Sequence, residues 1–114
     1  MNIALLRRYL SLLVPLIAVL FGSGLRLLAA ENHQIIQKGR AFRPKQIEIT
    51  AGDTLDFNNE DEFIHQIYVA SDSLRFDSAE QPPSQKVHVT FPASGTFPVR
   101  CHIHPKMLLT VTVR

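Results

Sequence analysis

The run Thr96-Phe97-Pro98-Val99-Arg100-Cys101-His102-Ile103-His104-Pro105-Lys106-Met107-Leu108-Leu109-Thr110-Val111-Thr112-Val113 dictates the class of structure this chain adopts. Phe97, Val99 and Cys101 alternate with polar or smaller neighbours, and so do Leu109, Val111 and Val113. Successive side chains of a strand point to opposite faces, so each flank is a strand with one apolar face, and the segment between them is a tight loop. The same period of two recurs upstream in Gln46–Thr50, Thr54–Asn58, Phe63–Val69 and Lys86–Phe91. Turn signals separate these runs: Ala51-Gly52-Asp53, the polar break Asn59–Glu62, and Pro92–Gly95. Ser71–Gln85, polar and holding Pro82-Pro83, reads as a long loop, and Ile35-Ile36 as a further edge strand. No internal repeat and no useful amphipathic helix appears. The pattern predicts an all-β fold, a small antiparallel Greek-key β-sandwich.

Ahead of these strands the composition changes. Met1–Arg8 ends in two arginines, Leu10–Phe21 is apolar apart from Ser11 and Pro15, and Leu28-Ala29-Ala30 supplies small residues. That order predicts a signal peptide over residues 1–30 and an exported domain over 31–114, periplasmic or otherwise outside the cytoplasm; an uncleaved anchor is the alternative. The apolar run is shorter than the roughly 20 residues a membrane span needs. Three of the 12 basic residues lie in this leader, which leaves nine against ten acids in the domain, a charge of about −1. A basic nucleic-acid binder is therefore excluded despite the pI of 9.0. At 46% hydrophobic and 19% charged residues, the chain is not disordered.

The one cysteine rules out an intrachain disulfide and raises the question of what an exported thiol does. It can bridge to another chain, remain a reactive thiol, or bind a metal. Parity directs Cys101 inward with Val99 and Phe97, and His65 inward with Ile67 and Val69. His88, between Val87 and Val89, faces out, and His33 falls in the poorly ordered start of the exported part. An inward histidine is usually a hydrogen-bonded core residue, and an inward cysteine a small hydrophobe. The spacing Cys101-x₂-His104-x₂-Met107 alters that reading. A thiolate, an imidazole and a thioether in one loop suit copper, and two His, one Cys and a long axial Met form the blue-copper arrangement. His65 is the natural second imidazole.

These residues resemble the cupredoxins, the blue copper proteins of the amicyanin and plastocyanin type. The likeness runs from about Phe42 to Val113 and includes Phe42-x-Pro44, Gly52-Asp53, Phe57-x-Asn59, Phe63-x-His65, Gly95-x-Phe97 and His104-Pro105-x-Met107. The resemblance implies one copper ion held by His65, Cys101, His104 and Met107, with His104 nearest solvent. It also shows three departures. Gln66 stands where Asn is common after the upstream His, His102 where Ser or Thr follows the Cys, and Leu108 where Gly often follows the Met.

The expected function is electron transfer: a monomeric, non-enzymatic carrier passing single electrons between redox partner proteins that dock transiently near His104. Ile103, Pro105, Met107 and Leu108 would give that docking point an apolar rim. The competing reading is a copper-binding or copper-delivery module with no electron-transfer role. Lys38, Arg40, Arg43 and Lys45 read as a solvated edge that discourages aggregation, an acidic docking partner being the alternative. Glu60-Asp61-Glu62 reads as a polar turn.

Overall fold

The computed structural model describes residues 29–114. The predicted leader lies outside the described residues, apart from its last two alanines. Nine strands follow in order: β1 (Asn32–Gln37), β2 (Phe42–Arg43), β3 (Gln46–Ile49), β4 (Thr54–Asn59), β5 (Ile67–Ala70), β6 (Arg75–Asp77), β7 (Lys86–Thr90), β8 (Gly95–Cys101) and β9 (Leu108–Val113). They form two sheets, β2-β1-β4-β7 and β3-β9-β8-β5-β6. The expected all-β sandwich is what the chain builds. Among the described residues, no helix is long and apolar enough to cross a membrane.

Alternation does the sorting. Phe97, Val99 and Cys101 of β8 and Leu109, Val111 and Val113 of β9 are buried, and Phe97 pairs with Val111 and Val99 with Leu109. Leu55 and Phe57 of β4, Ile35 of β1 and Val89 of β7 meet them from the other sheet. Edge-on aromatic pairs fill the layer, Phe91 against Phe97 and Phe42 against Phe57, with centroids 5.7 and 5.8 Å apart. Such rings contribute large buried apolar area in a fixed geometry. At the mouth of β8, Gly95 adopts φ +147°, and a Cβ there would press to 3.3 Å from the Phe97 ring.

The strand layout differs from the sequence reading in four places. β1 is interior, paired parallel with β4 from Asn32↔Thr54 to Gln37↔Asn59, and the edge of its sheet is the two-residue β2. Single-strand patterning carries no information about neighbours, so a short apolar pair such as Ile35-Ile36 does not disclose a central position. β3 is likewise parallel to β9. Residues 71–85 are not one loop: β6 pairs with β5, and Gln81 is fully buried. His65 precedes β5 proper, held instead by a single antiparallel bridge to Gln81.

Candidate metal centre

β8 ends on Cys101, directly opposite Ile67 at the start of β5. Two residues before Ile67, His65 points to the same face, and its backbone exchanges hydrogen bonds with Gln81 at 3.0 and 2.7 Å. Both His65 and Cys101 are buried, at 0% and 1% exposure. After Cys101 the chain leaves the sheet, and the Met107 N–H donates to the His104 carbonyl at 2.9 Å, closing a tight turn that returns it to β9. His104, half-buried, comes back over the other two. Its Nδ1 lies 3.2 Å from Nδ1 of His65, which is 3.7 Å from Cys101 Sγ. The ligand atoms of His65, Cys101 and His104 all lie within 4.8 Å of one another.

Those separations fit an ion. Bonds of about 2.0 Å to two imidazole nitrogens and about 2.3 Å to a thiolate, spread trigonally, require N–N and N–S edges of about 3.5 and 3.7 Å. The observed 3.2 and 3.7 Å edges come close to that triangle. Met107 is buried beside this loop at 2% exposure.

Hydrogen bonds set which atoms are free to bind. His65 Nε2 is 2.7 Å from Asp61 Oδ2, which places the ring proton on Nε2 and leaves the Nδ1 lone pair turned to the cluster. Asp61 is itself gripped by the Gly39 and Arg40 N–H groups at 2.6 and 3.0 Å. Burial works against its ionisation, but the N–H of Arg40, the His65 ring and the N–H of Gly39 outweigh it and hold the carboxyl below the usual range. His104 is pushed the same way, chiefly by burial and then by the charges of His65 and Arg40 against the opposing Asp61. A lowered histidine stays neutral, the form that donates to a metal. Cys101 Sγ accepts the Gln66 N–H at 3.2 Å.

The remaining histidines part company with this group. His88 is exposed and bonded to Asp56, as parity requires. His102 turns outward and stacks on Tyr68 with centroids 3.6 Å apart and planes at 7°. The Gln66 side chain donates to Asp77 at 2.7 Å rather than reaching the loop, and His102 Nε2 lies 3.7 Å from the same carboxylate. Two of the three departures thus meet at Asp77. His33 is not in a frayed start: it belongs to β1 and bonds Asp53 at 3.1 Å. With Glu31 these two form a second cluster, but Asp53 is already taken by the N–H groups of Glu31 and Thr50 and by His33, so it serves to tie β1 to the β3–β4 turn.

Sequence reasoning did not foresee that Asp61 and the Arg40 N–H would brace His65, and it passed over Gln81. An acid four residues before an inward histidine was a usable signal for Asp61. Nothing local marks Gln81, whose amide exchanges two hydrogen bonds with Gln37, 44 residues away.

The chain is similar to known copper-binding proteins. The family model for copper binding proteins, the plastocyanin/azurin family, matches residues 30–114. The methylamine utilization protein MauL of Methylophilus methylotrophus is 33% identical over 79 residues, covering 67% of this chain, which spans only 45% of that protein. The Cu-containing nitrite reductase NirK of Thermus scotoductus superposes with a TM-score of 0.68 at 26% identity, over 80% of this chain and 24% of the enzyme. An amicyanin variant in its Cu(I) form gives 0.69 at 20% identity, over 76% of this chain and 86% of its own. With the family match spanning every described strand, and with two imidazoles and a thiolate set at metal-binding distances, the chain belongs to the copper-binding plastocyanin/azurin family, the cupredoxins.

Proposed function

We propose that this chain is an exported type 1 copper protein that carries single electrons between redox partners. His65, Cys101, His104 and Met107 would hold the copper ion. The observation that carries this reading is the close approach of the three donors, 3.2 Å between the two imidazole nitrogens and 3.7 Å from His65 Nδ1 to the thiol, with all three within 4.8 Å of one another. Bound copper supplies a one-electron couple. The chain supplies rigidity: Asp61 fixes the His65 ring, the Gln66 N–H and the β5–β8 pairing fix Cys101, and burial excludes water from both. Donors held this firmly suit both oxidation states, so little rearrangement accompanies transfer. His104 alone reaches the surface and is the electron port. Four protein donors leave no position for a substrate, which favours a carrier over an enzyme. The leader 1–30 favours a periplasmic site of action for a monomeric 31–114 domain.

The test is Cu(II) added to the exported domain. An intense thiolate-to-copper band in the visible spectrum, lost in Cys101→Ser and in His65→Ala but kept in His88→Ala, is the expected result. A band that survives Cys101→Ser sinks the reading. Reversible voltammetry with fast self-exchange supports the carrier; copper passing to an acceptor without a reversible couple would replace it with copper delivery.

A further inference from the structure

Among the described residues, four large hydrophobic side chains stand substantially in solvent: Phe63, Ile64, Ile103 and Leu108. All four belong to the two segments that carry His65 and His104, so the exposed apolar surface gathers at the metal end. A cleft of about 330 Å³ lies there, lined by Arg40, Ile103, His104, Pro105 and Lys106. A second, of about 350 Å³, shares Arg40 and Lys106 with it and adds Lys45 and Leu108. The clefts therefore adjoin, three cationic side chains line them, and no carboxylate lines either. Glu60 and Glu62 are exposed on the β4–β5 loop but contribute to neither wall.

The placement of Arg40 is specific. It adopts φ +53°, a conformation that disfavours residues with a Cβ, and its N–H is pinned by Asp61. Its guanidinium lies 4.3 Å over the Phe63 ring, and Phe63 in turn meets His104 edge-on at 6.1 Å. One strained backbone position thus holds both the carboxylate clamp on His65 and a cation beside His104. An ordinary solvated edge, the sequence reading of this basic group, requires no such arrangement.

We propose that this face docks an acidic redox partner: a protein whose electron-exchange site is an apolar spot bordered by carboxylates, which Arg40 and Lys106 engage from the cleft they share with His104. The proposal rests on the electron-carrier reading and adds the partner's charge to it. A positive rim raises the rate of encounter with anions and lowers it for cations, and salt weakens both effects.

The experiment oxidises the copper(I) protein with two small complexes of opposite sign, hexacyanoferrate(III) and tris(phenanthroline)cobalt(III). In each case one electron leaves the protein and reduces one Fe(III) to Fe(II) or one Co(III) to Co(II). Arg40→Gln/Lys106→Gln should slow the hexacyanoferrate reaction roughly fivefold at low salt and flatten its salt dependence, with the cobalt reaction unchanged or faster. Arg114→Gln, a charge removed at the far end of β9, should leave both rates near wild type. A redox-inert anion, hexacyanochromate(III), should broaden NMR signals of Ile103 and Lys106 in the wild type and not in the double variant. The same double variant should lose several-fold in its rate with an acidic c-type cytochrome and not with a basic one. If the double variant matches Arg114→Gln with all these probes, the acidic-partner proposal falls while the carrier stands. If neither complex oxidises the protein, the carrier reading itself falls.

Discussion

His102 and His104 sit two residues apart, and the backbone separates them fully. His102 follows Cys101 while the strand parity still holds, so its ring goes to the outer face and stacks on Tyr68. The chain then bends, and His104 Nδ1 arrives 3.2 Å from Nδ1 of His65. His104→Ala should therefore lose the native copper spectrum and rapid electron exchange. His102→Ala should keep the spectrum and shift the potential modestly, as absorption and voltammetry on both variants will show. The reverse outcome would overturn the ligand assignment. The three clustered side chains were readable because they obey local rules: Cys101 and His104 through spacing, His65 through parity with Ile67 and Val69. Asp61 does lie in a polar turn, but its bracing role was not legible, because Gly39 and Arg40, which fix its carboxylate, are over twenty residues away and no strand pattern links them.

At the scale of elements, the strands that announce themselves are those with one wet face and one dry. β8 and β9 alternate cleanly because only one side of each is covered. β1 and β6 were legible poorly or not at all. The buried positions of β1 are Ile35 and the polar Gln37, which gives no apolar alternation, and the three-residue β6 has only Phe76 packed against the core. The start of β1 is held electrostatically, and this gives its attachment a pH dependence. Hydrogen bonds from the Glu31 and Thr50 N–H groups, then from His33, hold the Asp53 carboxyl below its usual range. A group depressed in the folded state contributes stability above its unfolded pKa and loses it as pH falls through the folded value. Thermal melts from neutral to strongly acidic pH should show Asp53→Asn less stable than wild type at neutrality, with the gap closing below pH ~4. A gap constant with pH would mean the carboxylate charge plays no part.

For the molecule as a whole, the donors come from β8, the β8–β9 loop and the segment before β5, so an ion bridging them joins parts that separate on unfolding. An ion bound only by the folded state raises stability by about 2.7 kcal/mol at a hundredfold excess over Kd. For a domain of this size that corresponds to a rise in Tm of roughly 10–20 °C. Calorimetry with and without copper should show it, and Cys101→Ser should abolish most of it. An equal shift in that variant would place the bound ion elsewhere.

The reciprocal amide pair between Gln37 and Gln81 constrains how this sequence can drift. Both side chains are fully buried, and each donates to the other, at 2.7 and 2.9 Å. Replacing one strands a polar group in the core at a cost of about 1–3 kcal/mol, whereas removing both with apolar groups of similar shape can be nearly neutral. Descendants of this chain should therefore change the two positions together. The bargain is unequal, because the Gln81 amide also donates to the carbonyls of Phe57 and Gln85, at 3.0 and 2.9 Å. Even a matched double change would remove this amide donor from both carbonyls, although that of Gln85 would keep the Asn59 N–H at 3.1 Å, so position 81 should be the slower of the two to vary and position 37 the one that follows it.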